Sequence, residues 1–305
     1  MAKIPFVLLI CFITLNPMTA QDTIIPLWPN KVPNQVDIGE KESDRMEDIR
    51  WVRNVQNPSI EVYLPAARNN SGRAVLLFPG GGYQGLAYNW EGVDFAKAFN
   101  AKGIVGIVVR YRLPNSKSIV KNRHEVPLQD AQRAIRLVRK MAPKWKINPN
   151  KIGIMGFSAG GHFASTLGTH FDETTYERQD EADDLGARPD FMALIYPVIS
   201  MDSIATHQGS KSALLGEEPS TDLLERFSNE KQVDENTPPT FLLHATDDEA
   251  VVVENSLDFY RALRNHKVPA TMHIFPSGGH GFALGLEHPL LHNWLELFLT
   301  WMDSQ

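Results

Sequence analysis

Short, continuously apolar runs alternate along the chain with longer amphipathic ones. Ala74-Val75-Leu76-Leu77-Phe78, Ile104 to Arg110, Ile152 to Met155, Phe191 to Ile195, Thr240 to His244 and Thr271 to Phe275 are the short runs, and their pattern is that of strands buried on both faces. Ser59 to Leu64 sets Ile60, Val62 and Leu64 against Glu61 and Tyr63; with Ile49 to Val55 it predicts two strands joined at Asn57-Pro58. The amphipathic stretches have helical period. Glu91 to Lys102 turns Val93, Phe95, Ala96, Ala98 and Phe99 inward. Leu128 to Met141 lines up Ala131, Ile135 and Val138, with Arg133, Arg136 and Lys140 largely outward. A small-residue segment after Ser158, Glu254 to His266 and Pro289 to Met302 add three more helices. This alternation predicts an α/β domain: a mostly parallel sheet of about eight strands with helices on both faces. Such sheets carry their sites at the carboxyl ends of the strands. Outside the pattern, Ile25-Pro26-Leu27-Trp28-Pro29 reads as a stiff segment laid across the surface and Pro33 to Arg50 as a polar loop. Met201 to Asn236 reads as a polar stretch with one or two helices, too short for a large lid.

Composition adds a compartment. Lys3 followed by the apolar run Phe6 to Leu15 and by Met18-Thr19-Ala20 has the layout of a secretory signal over residues 1–20, leaving 21–305 as one domain, secreted or periplasmic. The one cysteine, Cys11, would leave with the signal, so the mature domain would rely on its core and not on disulfides. Net charge is −6 and no basic run is present, which argues against a nucleic-acid partner. Nothing after residue 20 predicts membrane insertion.

Chemistry concentrates where strands end. Gly156-Phe157-Ser158-Ala159-Gly160 follows a strand and opens a helix, the setting in which a serine is lifted on a strained turn with only small residues tolerated two positions away. An activated serine needs a base and the base an orienting group, in the order Ser, Asp or Glu, His for this kind of elbow. Asp247 and Asp248 stand just past one strand, and His280, flanked by Gly278, Gly279 and Gly281, just past the next. Spacing alone does not separate the two aspartates; Asp247 could instead cap or hydrogen-bond the loop. Pro79-Gly80-Gly81-Gly82-Tyr83, after an earlier strand, supplies a side-chain-free backbone, so the N–H groups of Gly81, Gly82 and Ala159 are the candidate oxyanion donors. Tyr83, Tyr88 and Trp90 follow that loop as candidate sugar-stacking rings, with core packing as the competing reading. His162 and His244 read as structural. His288 and His292 share helical spacing but lack a third ligand, so neither a metal nor any cofactor is expected.

Four segments, PGGGY, GFSAGG, HATDDEAVVV and PSGGHGF, together resemble the α/β-hydrolase superfamily, and more closely secreted bacterial acetylxylan-esterase-like or feruloyl-esterase-like carboxylesterases. Pro26-Leu27-Trp28-Pro29-Asn30 and Val109-Arg110-Tyr111-Arg112-Leu113-Pro114 share the resemblance, which runs from about Ile25 to the C-terminus. It implies Ser158 as nucleophile, His280 as base and Asp248 as the orienting carboxylate. The chain departs from the pattern at Ala245 (a glycine in the family), Val252 (a proline), and Pro79, where lipase-like relatives have histidine. The implied activity is hydrolysis of a small acyl ester, acetyl foremost, on a plant-type polysaccharide or its oligosaccharides. A serine peptidase with the same triad order and an inactive glycan-binding relative are the alternatives.

Overall fold

The computed structural model describes residues 23–305; the predicted signal lies outside the described residues. The central sheet has eight strands: β1 (Thr23–Pro26), β4 (Ser59–Tyr63), β7 (Val105–Arg110), β5 (Ala74–Phe78), β8 (Ile152–Phe157), β9 (Met192–Ile195), β10 (Thr240–Ala245) and β11 (Ala270–Phe275), in that spatial order. The first two pairings, β1 with β4 and β4 with β7, are antiparallel. The remaining five are parallel.

β5 holds the switch point. From β5 the chain passes through α1 (Asp94–Ala101) to β7 on one side, then through α2 (Val126–Trp145) to β8 on the other. The two connections diverge, and a crevice opens at the carboxyl ends of β5 and β8. Strand periodicity sorts the layers. Phe157 of β8 packs on Phe95 of α1, and Phe241 of β10 on Phe298 of α7 (Trp294–Asp303), so α1 and α7 share one face. Gly156, one residue from Phe157, faces Ala164 of α3 (Ala159–His170), against which α2 packs. His244 bonds Ser256 of α6 (Glu254–Asn265) from the face opposite Phe241, which adds α6 to that second layer.

Four expectations need correction. Ile49 to Val55 does not enter the central sheet: β3 (Arg50–Arg53) joins a separate antiparallel sheet with β2 (Ser43–Met46) and β6 (Leu86–Ala87). The eighth central strand is β1 instead. β2 falls in the segment read as loop, because Ser-Asp-Arg-Met on an exposed edge carries no apolar alternation. The Leu27-Trp28 segment is core and not surface: both side chains are buried, Trp28 Nε1 donates to Asp130 Oδ1 at 2.8 Å, and Arg133 Nε donates to the Leu27 carbonyl at 2.8 Å. Arg133 therefore points inward, neutralised by Asp180 and Asp183 at 2.6 and 2.9 Å; a buried guanidinium is tolerated only with such partners. In the Met201 to Asn236 stretch lie two short helices, α4 (Gln208–Leu215) and α5 (Thr221–Arg226).

Candidate active site

Ser158 stands between β8 and α3 with φ 53° and ψ −121°, a conformation L-residues rarely adopt. The elbow is enforced by closeness. A Cβ on Gly156 would lie 2.1 Å from the Gly160 carbonyl oxygen, and one on Gly160 2.0 Å from the Phe78 carbonyl oxygen. Glycine at both positions is thus a packing requirement of the turn. Ala159 then opens the twelve-residue α3, whose N-terminus carries the positive end of the helix dipole.

His280 Nε2 lies 2.8 Å from Ser158 Oγ, and His280 Nδ1 lies 2.7 Å from Asp248 Oδ2. Asp248 is buried and accepts from every side: the N–H groups of Ala250 and Val251 reach Oδ1 at 3.0 and 2.9 Å, and His244 Nε2 is 3.3 Å from Oδ2. Burial alone would raise the Asp248 pKa. The hydrogen bonds from His244 and His280, with the positive charge His280 can carry, outweigh it and hold the carboxyl far below the usual range. An ionised Asp248 fixes the tautomer of the neutral ring: Nδ1 carries the proton and Nε2 is free to accept one from Ser158. Asp247 does other work. Its Oδ1 accepts from the Gly279 N–H at 2.8 Å and so anchors the glycine loop that carries His280.

The glycine loop after β5 faces Ser158 backbone first. A Cβ on Gly80 would lie 2.8 Å from the Ser158 Cβ. The Gly80 N–H is taken by Glu91 Oε2 at 2.7 Å, whereas no hydrogen bond among the described residues occupies the N–H of Gly81, Gly82 or Ala159. The small sheet braces this loop: Ala87 N–H donates to the Gly80 carbonyl at 2.9 Å, and a Cβ on Gly81 would meet the Trp51 ring at 2.9 Å and the Gly85 carbonyl oxygen at 2.3 Å.

Sequence reasoning missed Glu91, Tyr196 and His207. The Glu91 carboxyl is buried behind the loop; Tyr196 O–H donates to its Oε1 at 2.9 Å, and the Ala283 N–H donates to the Tyr196 oxygen at 3.1 Å. Burial pushes the Glu91 pKa up, opposed by the bonds from Tyr196 and Gly80 and by charge on His280. The Tyr196 ring also stands edge-on to His280, with centroids 5.1 Å apart. One buried carboxyl thus ties the glycine loop to the histidine loop. In the sequence Glu91 is indistinguishable from a solvated acid at a helix start. His207 caps α4 by accepting from the Ser210 N–H; burial lowers its pKa, charge on His280 lowers it further, and Asp248 opposes the change.

Two of the three candidate stacking rings are misplaced for that role. Tyr83 is 1% exposed and donates its hydroxyl to His162 Nδ1 at 2.8 Å; Tyr88 is fully buried with the Arg50 guanidinium 4.8 Å over its ring. Neither presents a face to solvent. Trp90 is 41% exposed, and its indole N–H donates to the Gly281 carbonyl at 2.8 Å. His162 is buried behind Tyr83, and His288 accepts from Leu290 and Leu291 backbone N–H groups at 3.3 Å. Among the described residues no group of three or more His, Cys, Asp or Glu is placed to hold a metal, and no helix is long and apolar enough to cross a membrane.

The model of the BD-FAE family matches residues 60–263. The chain belongs to the BD-FAE family. Its fold is the α/β-hydrolase fold, and among solved structures an acetyl ester-xyloside bifunctional hydrolase from Caldicellulosiruptor lactoaceticus superposes with a TM-score of 0.80 at 38% identity, covering 95% of this chain and 98% of that one. An acetylxylan esterase of Xylanibacter ruminicola is 38% identical over 246 residues, 79% of this chain and 47% of the relative. An endo-1,4-beta-xylanase B of Butyrivibrio fibrisolvens is 40% identical over 210 residues, 69% of this chain and 32% of the relative. The chain therefore spans about half or less of the length of these two relatives.

Proposed function

We propose that the protein is a serine carboxylic-ester hydrolase that removes small acyl groups, acetyl foremost, from a plant-type polysaccharide or its oligosaccharides. The observation that carries this reading is the unbroken contact from Ser158 Oγ through the His280 ring to Asp248. In the proposed cycle His280 Nε2 takes the Ser158 proton as Oγ bonds the ester carbonyl carbon. The imidazolium is stabilised by Asp248. The oxyanion is held by the N–H groups of Gly81, Gly82 and Ala159, each donor contributing about 3 kcal/mol in the transition state. Collapse passes the proton from His280 to the departing alcohol oxygen and leaves an acyl group on Ser158. A water, deprotonated by the same nitrogen, then releases the acid and restores Oγ–H.

Acetyl as the acyl group and xylan as the carrier are favoured by the likeness to an acetylxylan esterase and to an acetyl ester-xyloside hydrolase, and export by the signal-like residues 1–20. Labelling by a fluorophosphonate together with 4-nitrophenyl acetate turnover tests the mechanism: both are expected in the intact protein, and both are expected to vanish in Ser158→Ala. Undiminished hydrolysis by that variant would remove Ser158 from the reaction. Acetate release from acetylated xylan tests the substrate class separately.

A further inference from the structure

We propose that the groove bounded by Trp90, Asp94, Lys97 and the loop 282–288 is the alcohol-side subsite, binding the sugar ring from which the acyl group departs. The proposal rests on the ester-hydrolase reading above and adds which side of the serine the sugar occupies. The groove encloses about 590 Å³. Its wall begins two residues beyond the base: Trp90 Nε1 is bonded to the Gly281 carbonyl at 2.8 Å, and Phe282 packs edge-on against Tyr196, the same ring that abuts His280.

Chemistry chooses the occupant. The proton that His280 takes from Ser158 is passed to the alkoxide leaving the tetrahedral intermediate, so the alcohol oxygen must lie within reach of His280 Nε2. The alcohol portion of the ester therefore extends over the histidine loop, and the acyl portion away from it. A surface running outward from Gly281 meets the alcohol portion first.

The lining suits a pyranose. Apolar surface comes from the exposed Trp90 indole and from Leu284 and Leu286, and hydrogen-bonding groups from Asp94, Lys97 and Glu287. Sugar rings present apolar C–H faces and hydroxyl edges, which is the pattern this wall can receive. The indole N–H is already spent on Gly281, so the ring plane is held before any ligand arrives. The opposite wall is held too: the Ala283 N–H donates to Tyr196, and Trp294 Nε1 donates to the Ala283 carbonyl at 2.8 Å. A site so fixed loses little ordering entropy on binding.

The test compares kcat/KM for acetylated xylotetraose with kcat/KM for 4-nitrophenyl acetate on the full chain. In Trp90→Ala the oligosaccharide-to-nitrophenyl ratio is expected to fall about tenfold, chiefly through KM, and in Trp90→Phe to stay within about threefold of the parent. Leu286→Asp, on a side chain 70% exposed and outside the core, gives the same readout without risk to folding, with the ratio again lowered. Unchanged ratios in both Trp90→Ala and Leu286→Asp, with the parent turning over the oligosaccharide, overturn the groove assignment alone. A parent that cleaves 4-nitrophenyl acetate but not the oligosaccharide overturns the sugar reading of the function and this subsite with it. Altered selectivity between nitrophenyl acetate and nitrophenyl octanoate, with the sugar ratio untouched, would place the acyl chain in the groove and overturn the proposal.

Discussion

The two halves of the site are built differently. Ser158 and the glycine loop follow directly on β8 and β5, central strands with every residue buried, and Gly80, Gly81, Gly156 and Gly160 leave no space for a side chain. His280 rides on a loop after β11, an edge strand whose residues are half-exposed or exposed. The first half holds its shape through packing. The second is held by individual ties: Asp247 to Gly279, Trp90 to Gly281, Tyr196 to Ala283 and Asp248 to the imidazole. Transition-state stabilisation depends on donors that do not reorganise, whereas a base that moves a proton twice has to keep an orientation and not a rigid frame. The rigid half should therefore tolerate almost no change, and damage to the tethered half should scale with the tie removed.

The largest break is expected at Asp248→Asn. An amide there cannot favour the Nδ1–H tautomer or stabilise imidazolium, and kcat on 4-nitrophenyl acetate is expected to fall about 10⁴-fold with KM little changed. A loss below tenfold would mean that the carboxylate is a structural group only. Next comes Glu91→Gln. Gly80 N–H and Tyr196 O–H both donate to Glu91, and glutamine offers one acceptor oxygen, so one donor is stranded in the core. A fall in kcat of roughly 10- to 100-fold at constant KM is expected, as for a displaced oxyanion donor. If KM alone rises, Glu91 serves substrate binding and the link between the loops carries no catalytic weight. Smaller still is Asp247→Ala, which frees Gly279: kcat should drop about tenfold or less, with rescue by Asp247→Asn, whose amide oxygen can still accept the N–H. No rescue would assign the effect to charge and not to the tie.

This contrast also explains what could be read in advance. The central strands were legible because burial on both faces leaves continuous apolar runs, and the contact of positions 158 and 280 because glycines mark both turns, through close backbone approach at Gly156 and Gly160 and through left-handed backbone at Gly279 and Gly281. Asp247 and Asp248 were not separable, since neighbouring residues just past β10 differ only in loop torsions that place one against the ring and the other against Gly279. Tyr83 and Tyr88 were misjudged because a tyrosine suits both a core and a binding face, and the partner that decides, His162 for Tyr83 and Arg50 for Tyr88, is distant in sequence. Arg133 was read as outward because a helical wheel does not show Asp180 and Asp183 closing over it. Small polar strands such as β2 and buried acids such as Glu91 leave no periodic trace at all.

The last expected effect, on stability and not on rate, sharpens the comparison at its rigid end. His162 lies beneath the glycine loop, accepting from Tyr83 O–H at Nδ1 and donating from Nε2 to the Phe227 carbonyl at 2.8 Å. A carbonyl can only accept, so the ring is neutral with its proton on Nε2. Burial pulls its pKa down to about 4, against the raising effect of the Phe227 bond. Unfolding restores a value near 6.5, so from about pH 6.5 down to about 4 the unfolded chain holds the extra proton and stability falls with pH. Between pH 7 and pH 5 this one residue should remove about 2 kcal/mol of unfolding free energy. Asp248, with its depressed pKa, acts in a separate window: its contribution is complete above about pH 4 and is lost only as pH falls further. His162→Gln can keep an acceptor for Tyr83 and a donor for Phe227 without titrating. Urea unfolding of both proteins at pH 7 and pH 5 should show their stability difference shift by about 2 kcal/mol in favour of the variant at the lower pH, because the other histidines are common to both and cancel. Parallel pH dependences would mean that this ring takes up its proton as easily folded as unfolded, and the buried half would then be less rigid than its packing implies.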